Sequence, residues 1–240
     1  MGQWHYIPSS TPPFTDTYSM LVAAASSQYV AMGNNIAFDR TDPFTLSIWI
    51  KPNTLTGAMM SKLKIGAPYT GYSLGLDPTG SLRWQFINAF GSNYLQLMSA
   101  PNIVTGSWQH VAVTSNGGTA ATTSLYINGV AQSISTVSDT LSASALTTDG
   151  FNISNDNNSG FFDGHLDEAS TWNTNLTALQ VAEIYNSGTP NDLSTTSMAL
   201  NLTHWWRLGD PPDNSTTTFD QAGANNGTLT NGPTYTTDVP

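Results

Sequence analysis

From Phe44 to Lys51 the side chains alternate one for one. Phe44, Leu46, Ile48 and Ile50 fall on one face, and Thr45, Ser47, Trp49 and Lys51 on the other. Only an extended backbone places every second side chain on the same side, so this stretch reads as a β-strand with one buried face. The same period recurs along the chain. Tyr72, Leu74 and Leu76 turn at Asp77-Pro78-Thr79-Gly80 and return as Leu82, Trp84 and Phe86, a hairpin with a proline-containing turn closed by glycine. A strand from Trp108 through Val111 and Val113 to Thr114 is broken by Asn116-Gly117-Gly118. Ser124 to Asn128 follows and ends in an Asn128-Gly129 turn, and Phe151 to Ser154 and Gly164 to Trp172 continue the series. Turn signals recur every ~8–12 residues, the spacing of a sandwich or jelly roll.

Helix formers are scarce. Only two Glu and three Lys occur in 240 residues, whereas Ser, Thr and Asn fill a third of the chain. One helix is nevertheless marked. Thr177 followed three residues later by Gln180 is a capping box, Leu176 and Val181 could staple it, and Gly188 supplies a left-handed stop before Pro190. A helix this short must pack on a sheet. The expected fold is therefore all-β: a two-sheet antiparallel jelly-roll sandwich with one short helix.

Charge excludes several functions. Sixteen acidic residues face six basic ones, a formal net charge of −10, and the cations are spread from Arg40 to Arg207. Nucleic acid binding requires clustered cations, so it is not expected. With no cysteine, disulfide scaffolds, zinc ribbons and thiol nucleophiles are excluded. Apolar runs such as Met20 to Ala25 are far shorter than the ~20 residues of a membrane helix, so no membrane insertion is expected. Residues 1–10 show no cationic start followed by an apolar run, and no secretory signal is expected.

Catalytic patterns are also missing. His5, His110, His165 and His204 lack metal-ligand spacing, and no Gly-x-Ser-x-Gly elbow occurs. Asp167 and Glu168 are adjacent, which on a regular strand points them to opposite faces, whereas a glycosidase needs two carboxylates across one cleft. The chain is expected not to be an enzyme. Three regions are expected: an extended aromatic and proline-rich arm over residues 1–17, a sandwich over 18–208, and a polar tract over 209–240 packing on that sandwich or on a neighbour. Trp4, Tyr6 and Phe14 are the candidate partner anchors of the arm.

The segments Phe44-Thr-Leu-Ser-Ile-Trp-Ile-Lys-Pro52, Trp108-Gln-His-Val-Ala-Val-Thr114, Leu125-Tyr-Ile-Asn-Gly129 and Phe162-Asp-Gly-His-Leu-Asp-Glu-Ala-Ser-Thr-Trp172 follow one another, and the last leads into the helix. In that order they resemble the laminin-G-like, pentraxin-like jelly roll of the concanavalin A-like lectin/glucanase superfamily, over roughly Tyr18 to Gly188. Asp16-Thr-Tyr-Ser-Met20, His204-Trp-Trp-Arg-Leu-Gly-Asp210 and Asn225-Asn-Gly-Thr-Leu-Thr-Asn-Gly-Pro233 resemble a variant found in bacteriophage virion proteins. The second of these is similar to that variant's opening strand, displaced here towards the end of the chain.

The resemblance implies calcium as the candidate ion, with Asp156, Asn158 and Asp163 as oxygen donors. Lys62 and Lys64 nearby oppose a cation, and the alternative is an Asn-rich turn held by its own side-chain hydrogen bonds. It also implies carbohydrate, for which Tyr69, Tyr72, Phe90, Tyr94, Phe161 and Phe162 are candidate platforms. No cofactor is required by either. The expected function is a non-enzymatic virion surface protein, a capsid decoration or fibre-type module made without a signal peptide. Its partners would be other virion proteins or copies of itself, with glycan adhesion as an accessory. The alternative is a secreted or cell-surface, calcium-dependent carbohydrate-binding module.

Overall fold

The alternating stretch that begins at Phe44 lies inside an antiparallel sheet in a computed structural model that describes residues 14–240. The chain begins with β1 (Ser19–Val22), β2 (Tyr29–Ala31), β3 (Pro43–Pro52), β4 (Gly57–Leu63), β5 (Gly71–Leu76) and β6 (Ser81–Ala89). It continues with β7 (Asn93–Pro101), β8 (Gln109–Asn116), β9 (Thr123–Ile127), β10 (Val130–Ala131), β11 (Ile134–Asp139), β12 (Asn152–Ile153) and β13 (Gly164–Trp172). After the helix α1 (Ala178–Tyr185) come β14 (Leu202–Trp206), β15 (Thr217–Thr218), β16 (Gly227–Thr230) and β17 (Thr234–Thr236).

Two antiparallel sheets form the sandwich. One has eight strands in the order β10-β9-β8-β3-β13-β1-β17, with β14 also paired to β13. The other has nine, in the order β11-β7-β6-β5-β4-β12-β2-β16-β15. Phe44, Leu46, Ile48 and Ile50 point inward from β3 and meet Tyr72, Leu74, Leu76, Leu82, Trp84 and Phe86 from the facing sheet, all buried. Phe44 lies 5.7 Å from Trp84 and edge-on to Phe86 at 5.8 Å, ring centre to ring centre. Each such large side chain stabilises the fold by about 1.5–3 kcal/mol through burial.

The helix starts where the capping box places it: Thr177 is the N-cap, and its hydroxyl accepts from the Gln180 N–H. It stops earlier than the glycine signal suggests. Asn186, with φ 46°, takes the left-handed position expected of Gly188, because asparagine tolerates that region and closes the turn two residues sooner. Val181 and Ile184 press on the outer face of the eight-stranded sheet, forming a second core with Leu176, Trp172, Leu193, Met198 and Trp205. Replacing the cap, Thr177→Ala, is expected to cost about 1 kcal/mol in chemical denaturation. A midpoint equal to that of the parent chain would show that packing alone holds the helix start.

Residues 209–240 contribute strands to both sheets of this same chain. β17 pairs with β1, and β16 pairs with β2. Trp206, fully buried, donates from Nε1 to the Asn225 carbonyl at 2.8 Å. Asp220 binds this region together by accepting from the N–H groups of Trp205, Gly223 and Asn225, and it pairs with His204 Nδ1 at 2.6 Å.

Candidate functional site

Three loops meet at one end of the nine-stranded sheet: residues 64–70 after β4, residues 90–92 after β6, and residues 154–163 before β13. The last of these is tied down by its own side chains. Asp156 Oδ1 accepts from the N–H groups of Asn158 and Gly160, both at 2.8 Å. Asn158 reaches across the gap, accepting from Gly66 N–H at 2.8 Å and donating to the Lys64 carbonyl at 3.0 Å. Asp163 serves a different junction, accepting from Ala24 N–H at 3.2 Å and Asn53 Nδ2 at 2.9 Å. Asp156 and Asn158 therefore share a loop system, while Asp163 ties the β3 end to the segment after β1. Lys62 is buried, with its ammonium donating to the carbonyls of Asn34 and Asp149, and burial holds its pKa below the usual lysine value.

Beside this loop lies a groove of about 280 Å³ on the outer face of the nine-stranded sheet, lined by Leu63, Tyr69, Arg83, Gln85, Ile87, Phe90, Asp156 and Asn158. Its shape follows from the strand period. While Tyr72, Leu74 and Leu76 of β5 point into the core, the outward positions are Gly71, Ser73 and Gly75. These pair with Ile87, Gln85 and Arg83 of β6, so a strand of minimal side chains lies beside longer ones and leaves a trough. At Gly71, φ is 130° and an added Cβ would stand 1.8 Å from the Lys62 carbonyl oxygen, so no other residue fits there.

Aromatic rings form one rim. Tyr69 and Phe90 meet edge-on at 6.3 Å, and Phe90 packs on Tyr94 at 5.0 Å. Phe90 is 50% exposed and Tyr69 37%. Polar groups supply the rest: Arg83, Asp156 and Asn158 line the trough with Gln85, whose Nε2 donates to Gln96 Oε1 at 3.0 Å, while Ser73 lies buried beneath it. Of the aromatic residues considered from the sequence, Tyr69, Phe90 and Tyr94 are brought together here. Tyr72 and Phe162 are instead core residues, because the inward phase of their segments buries them. Phe161 packs near Tyr29 at 6.2 Å, away from the groove lining.

A second polar cluster lies on the other side of the sandwich, beneath the helix. In β13 the register against β3 slips between Asp167 and Ser170, and Glu168 has φ 49°. This one-residue bulge overturns the expectation that Asp167 and Glu168 diverge: the inserted residue swings the second carboxylate round to join the first. One carboxylate oxygen from each of Asp16, Asp167 and Glu168 lies within 4.8 Å of the other two. Arg207 Nε donates to Glu168 at 3.0 Å, and Arg207 also pairs with Asp210. Burial raises the pKa of Asp167 far above the usual range, reinforced by Glu168 and Asp16. Burial likewise lifts Glu168, although Arg207 opposes the shift. The dent bounded by Trp49, Glu168, Ile184, Pro190, Asn191 and Leu193 leaves no room for a water molecule beside Glu168.

Phe14, considered from the sequence as an anchor for a partner, stacks on this chain's own Trp205 at 6.1 Å, with the Arg207 guanidinium 4.3 Å over its ring. Trp4 and Tyr6, with the rest of residues 1–13, lie outside the described residues. Among the described residues no helix is long and apolar enough to cross a membrane.

Comparison with known proteins accords with this architecture. Residues 24–182 match the Laminin_G_3 family model, described as the concanavalin A-like lectin/glucanases superfamily. No curated protein matches the chain. Among solved structures, a candidate carbohydrate-binding protein from Bacteroides ovatus superposes with a TM-score of 0.66 and 20% identity, covering 95% of this chain. The chain spans 62% of that protein's length. The Ruminococcus gnavus IT-sialidase CBM40, bound to alpha2,3 sialyllactose, gives a TM-score of 0.52 at 13% identity, over 65% of this chain and 96% of its own. A heptameric SAP-like pentraxin from Limulus polyphemus gives 0.48 at 15% identity, over 92% of this chain and 91% of its own.

Proposed function

The chain belongs to the Laminin_G_3 family of the concanavalin A-like lectin/glucanases superfamily, and from that premise we propose that it is a non-enzymatic carbohydrate-binding module whose site is the groove edged by Tyr69 and Phe90. One observation carries the reading: an open trough pairs exposed aromatic rings with the polar side chains of Arg83, Gln85, Asp156 and Asn158. Sugars offer apolar C–H faces and a ring of hydroxyls. Aromatic faces accept the former, and Arg83, Gln85, Asp156 and Asn158 can meet the latter. The trough is slightly smaller than the ~300 Å³ lower end of drug-sized pockets, which suits a short stretch of glycan. The Bacteroides and Ruminococcus proteins support this reading as users of a similar fold. The virion-surface role draws its support from the motif variants in the sequence alone, and no geometry among the described residues adds to it.

Glycan-array binding by the purified protein, followed by titration of the best ligand, tests the proposal. Tyr69→Ala and Phe90→Ala are each expected to weaken binding roughly tenfold, about 1.4 kcal/mol. Because both side chains are substantially exposed, thermal stability should move by no more than ~0.5 kcal/mol. Absence of any glycan ligand, or binding indifferent to both substitutions, would refute the site.

A further inference from the structure

We propose that Asp16, Asp167 and Glu168 form a calcium site that clamps the 14–17 segment onto the sandwich, on the side opposite the groove. The spacing fits the ion. Calcium holds oxygens at about 2.3–2.6 Å, so ligands on opposite sides of one ion stand about 4.6–5.2 Å apart. The three carboxylate oxygens all lie within 4.8 Å of one another. All the candidate donors are hard oxygen ligands, with no nitrogen or sulfur among them, which favours calcium over zinc or copper.

A second observation points to an occupant independently of this proximity. Asp167 is fully buried, its Oδ1 accepts from the Glu168 N–H at 2.8 Å, and its Oδ2 has no partner among the described residues. Both carboxylate oxygens of Asp16 are likewise shielded, and they face the carboxyl groups of Asp167 and Asp210, not an N–H or hydroxyl donor. A buried oxygen with no donor costs free energy unless a cation or a proton meets it. Charge leads to the same conclusion. With Asp210, four carboxylates face the single guanidinium of Arg207, leaving three negative charges if all are ionised. One divalent ion removes most of that excess.

The placement implies a role. Asp16 comes from the segment before β1, Asp167 and Glu168 from the bulge of β13, and Arg207 and Asp210 from the region after β14. Thr17 N–H donates to the Asp210 carboxylate at 3.2 Å, and the Thr15 carbonyl accepts from Arg207 at 2.6 Å. An ion at the centre joins three stretches that lie far apart in sequence.

Terbium luminescence tests the site, because Trp205 donates directly to Glu168 and would sensitise a lanthanide bound there. Chelator-treated protein is expected to show terbium emission that calcium competes away, with a calcium dissociation constant tighter than about 10⁻⁴ M. At a hundredfold excess over that constant, the melting temperature should rise by roughly 5–10 °C. Asp16→Asn, at the least buried of the three residues, should weaken calcium binding at least tenfold in a folded protein. Asp163→Asn, at the other candidate site, should leave the calcium response unchanged. Loss of the response in Asp163→Asn but not in Asp16→Asn would overturn the assignment. So would a melting temperature indifferent to calcium that falls as pH rises from 5 to 8, since shared protons would then balance the cluster.

Discussion

A chain ending at residue 212 is expected to show no cooperative unfolding transition. Deleting residues 213–240 removes β15, β16 and β17, and with them one hydrogen-bonded neighbour each of β1 and β2. Those strands have only four and three residues, and strands so short hold their place by pairing on both sides. The core is opened as well. Trp206 loses the Asn225 carbonyl that accepts its ring N–H, and the Met32 carbonyl loses the Asn225 Nδ2 donor at 2.8 Å. Together these changes approach the ~5–15 kcal/mol that holds a whole domain folded. The milder Asn225→Ala, which orphans the Met32 carbonyl and removes the acceptor of Asn35 Nδ2, should cost about 1–3 kcal/mol. Denaturant titration followed by tryptophan fluorescence measures both. A truncated chain that unfolds sharply at the parent midpoint would mean that the tract only covers the sandwich and is not part of it.

Arg207→Met is the second severe change. The guanidinium, 14% exposed, pairs with Glu168 and Asp210 and also lies over Phe14. Methionine keeps apolar bulk but leaves the carboxylates of a buried cluster without their cation. Breaking a buried pair from one side costs about 3–5 kcal/mol, because the remaining charge is stranded in a poorly solvated site. The pH dependence has a definite sign. Burial raises Asp16 to about 7 and Glu168 to about 8 in the folded protein. Groups raised above their unfolded values near 4 contribute stability below pH 4 and lose it as pH climbs towards 8. Removing Arg207 raises them further, so in chelator the deficit of the variant should be smallest near pH 5 and should widen towards pH 8. A deficit that is flat with pH would place the cost in lost packing on Phe14 instead.

The strands were legible because their signals are local. Alternation in β3, the Asp77 to Gly80 turn and the Asn128-Gly129 turn each depend on a few neighbouring residues. Asn128 and Gly129 do adopt left-handed backbone, at φ 51° and 74°. The capping box at Thr177 is local in the same sense. The bulge at Glu168 is different: nothing in Leu166-Asp167-Glu168-Ala169 marks a glutamate for left-handed backbone, and only the pairing of β13 with β3 on one side and with β1 and β14 on the other imposes it. The carboxylate cluster was hidden for that reason, and further because its members come from residues 16, 167, 168 and 210.

The groove was half legible. Its aromatic residues were in view, but composition could not separate Tyr69 and Phe90 on loops from Tyr72 and Phe162 in the core. A usable signal was present in β5, where Gly71, Ser73 and Gly75 alternate with Tyr72, Leu74 and Leu76. Small residues at every outward position of a central strand mark a trough as clearly as large inward ones mark a core.

Backbone amide shift mapping of the isotope-labelled protein, titrated with the strongest glycan from the array, probes recognition in this trough most directly. The expected result is a contiguous set of perturbed amides at Tyr69, Arg83, Gln85, Phe90 and Asn158, with those around Asp16 and Glu168 silent. Perturbations gathered on the helix side of the sandwich, or no shifts at saturating glycan, would contradict it.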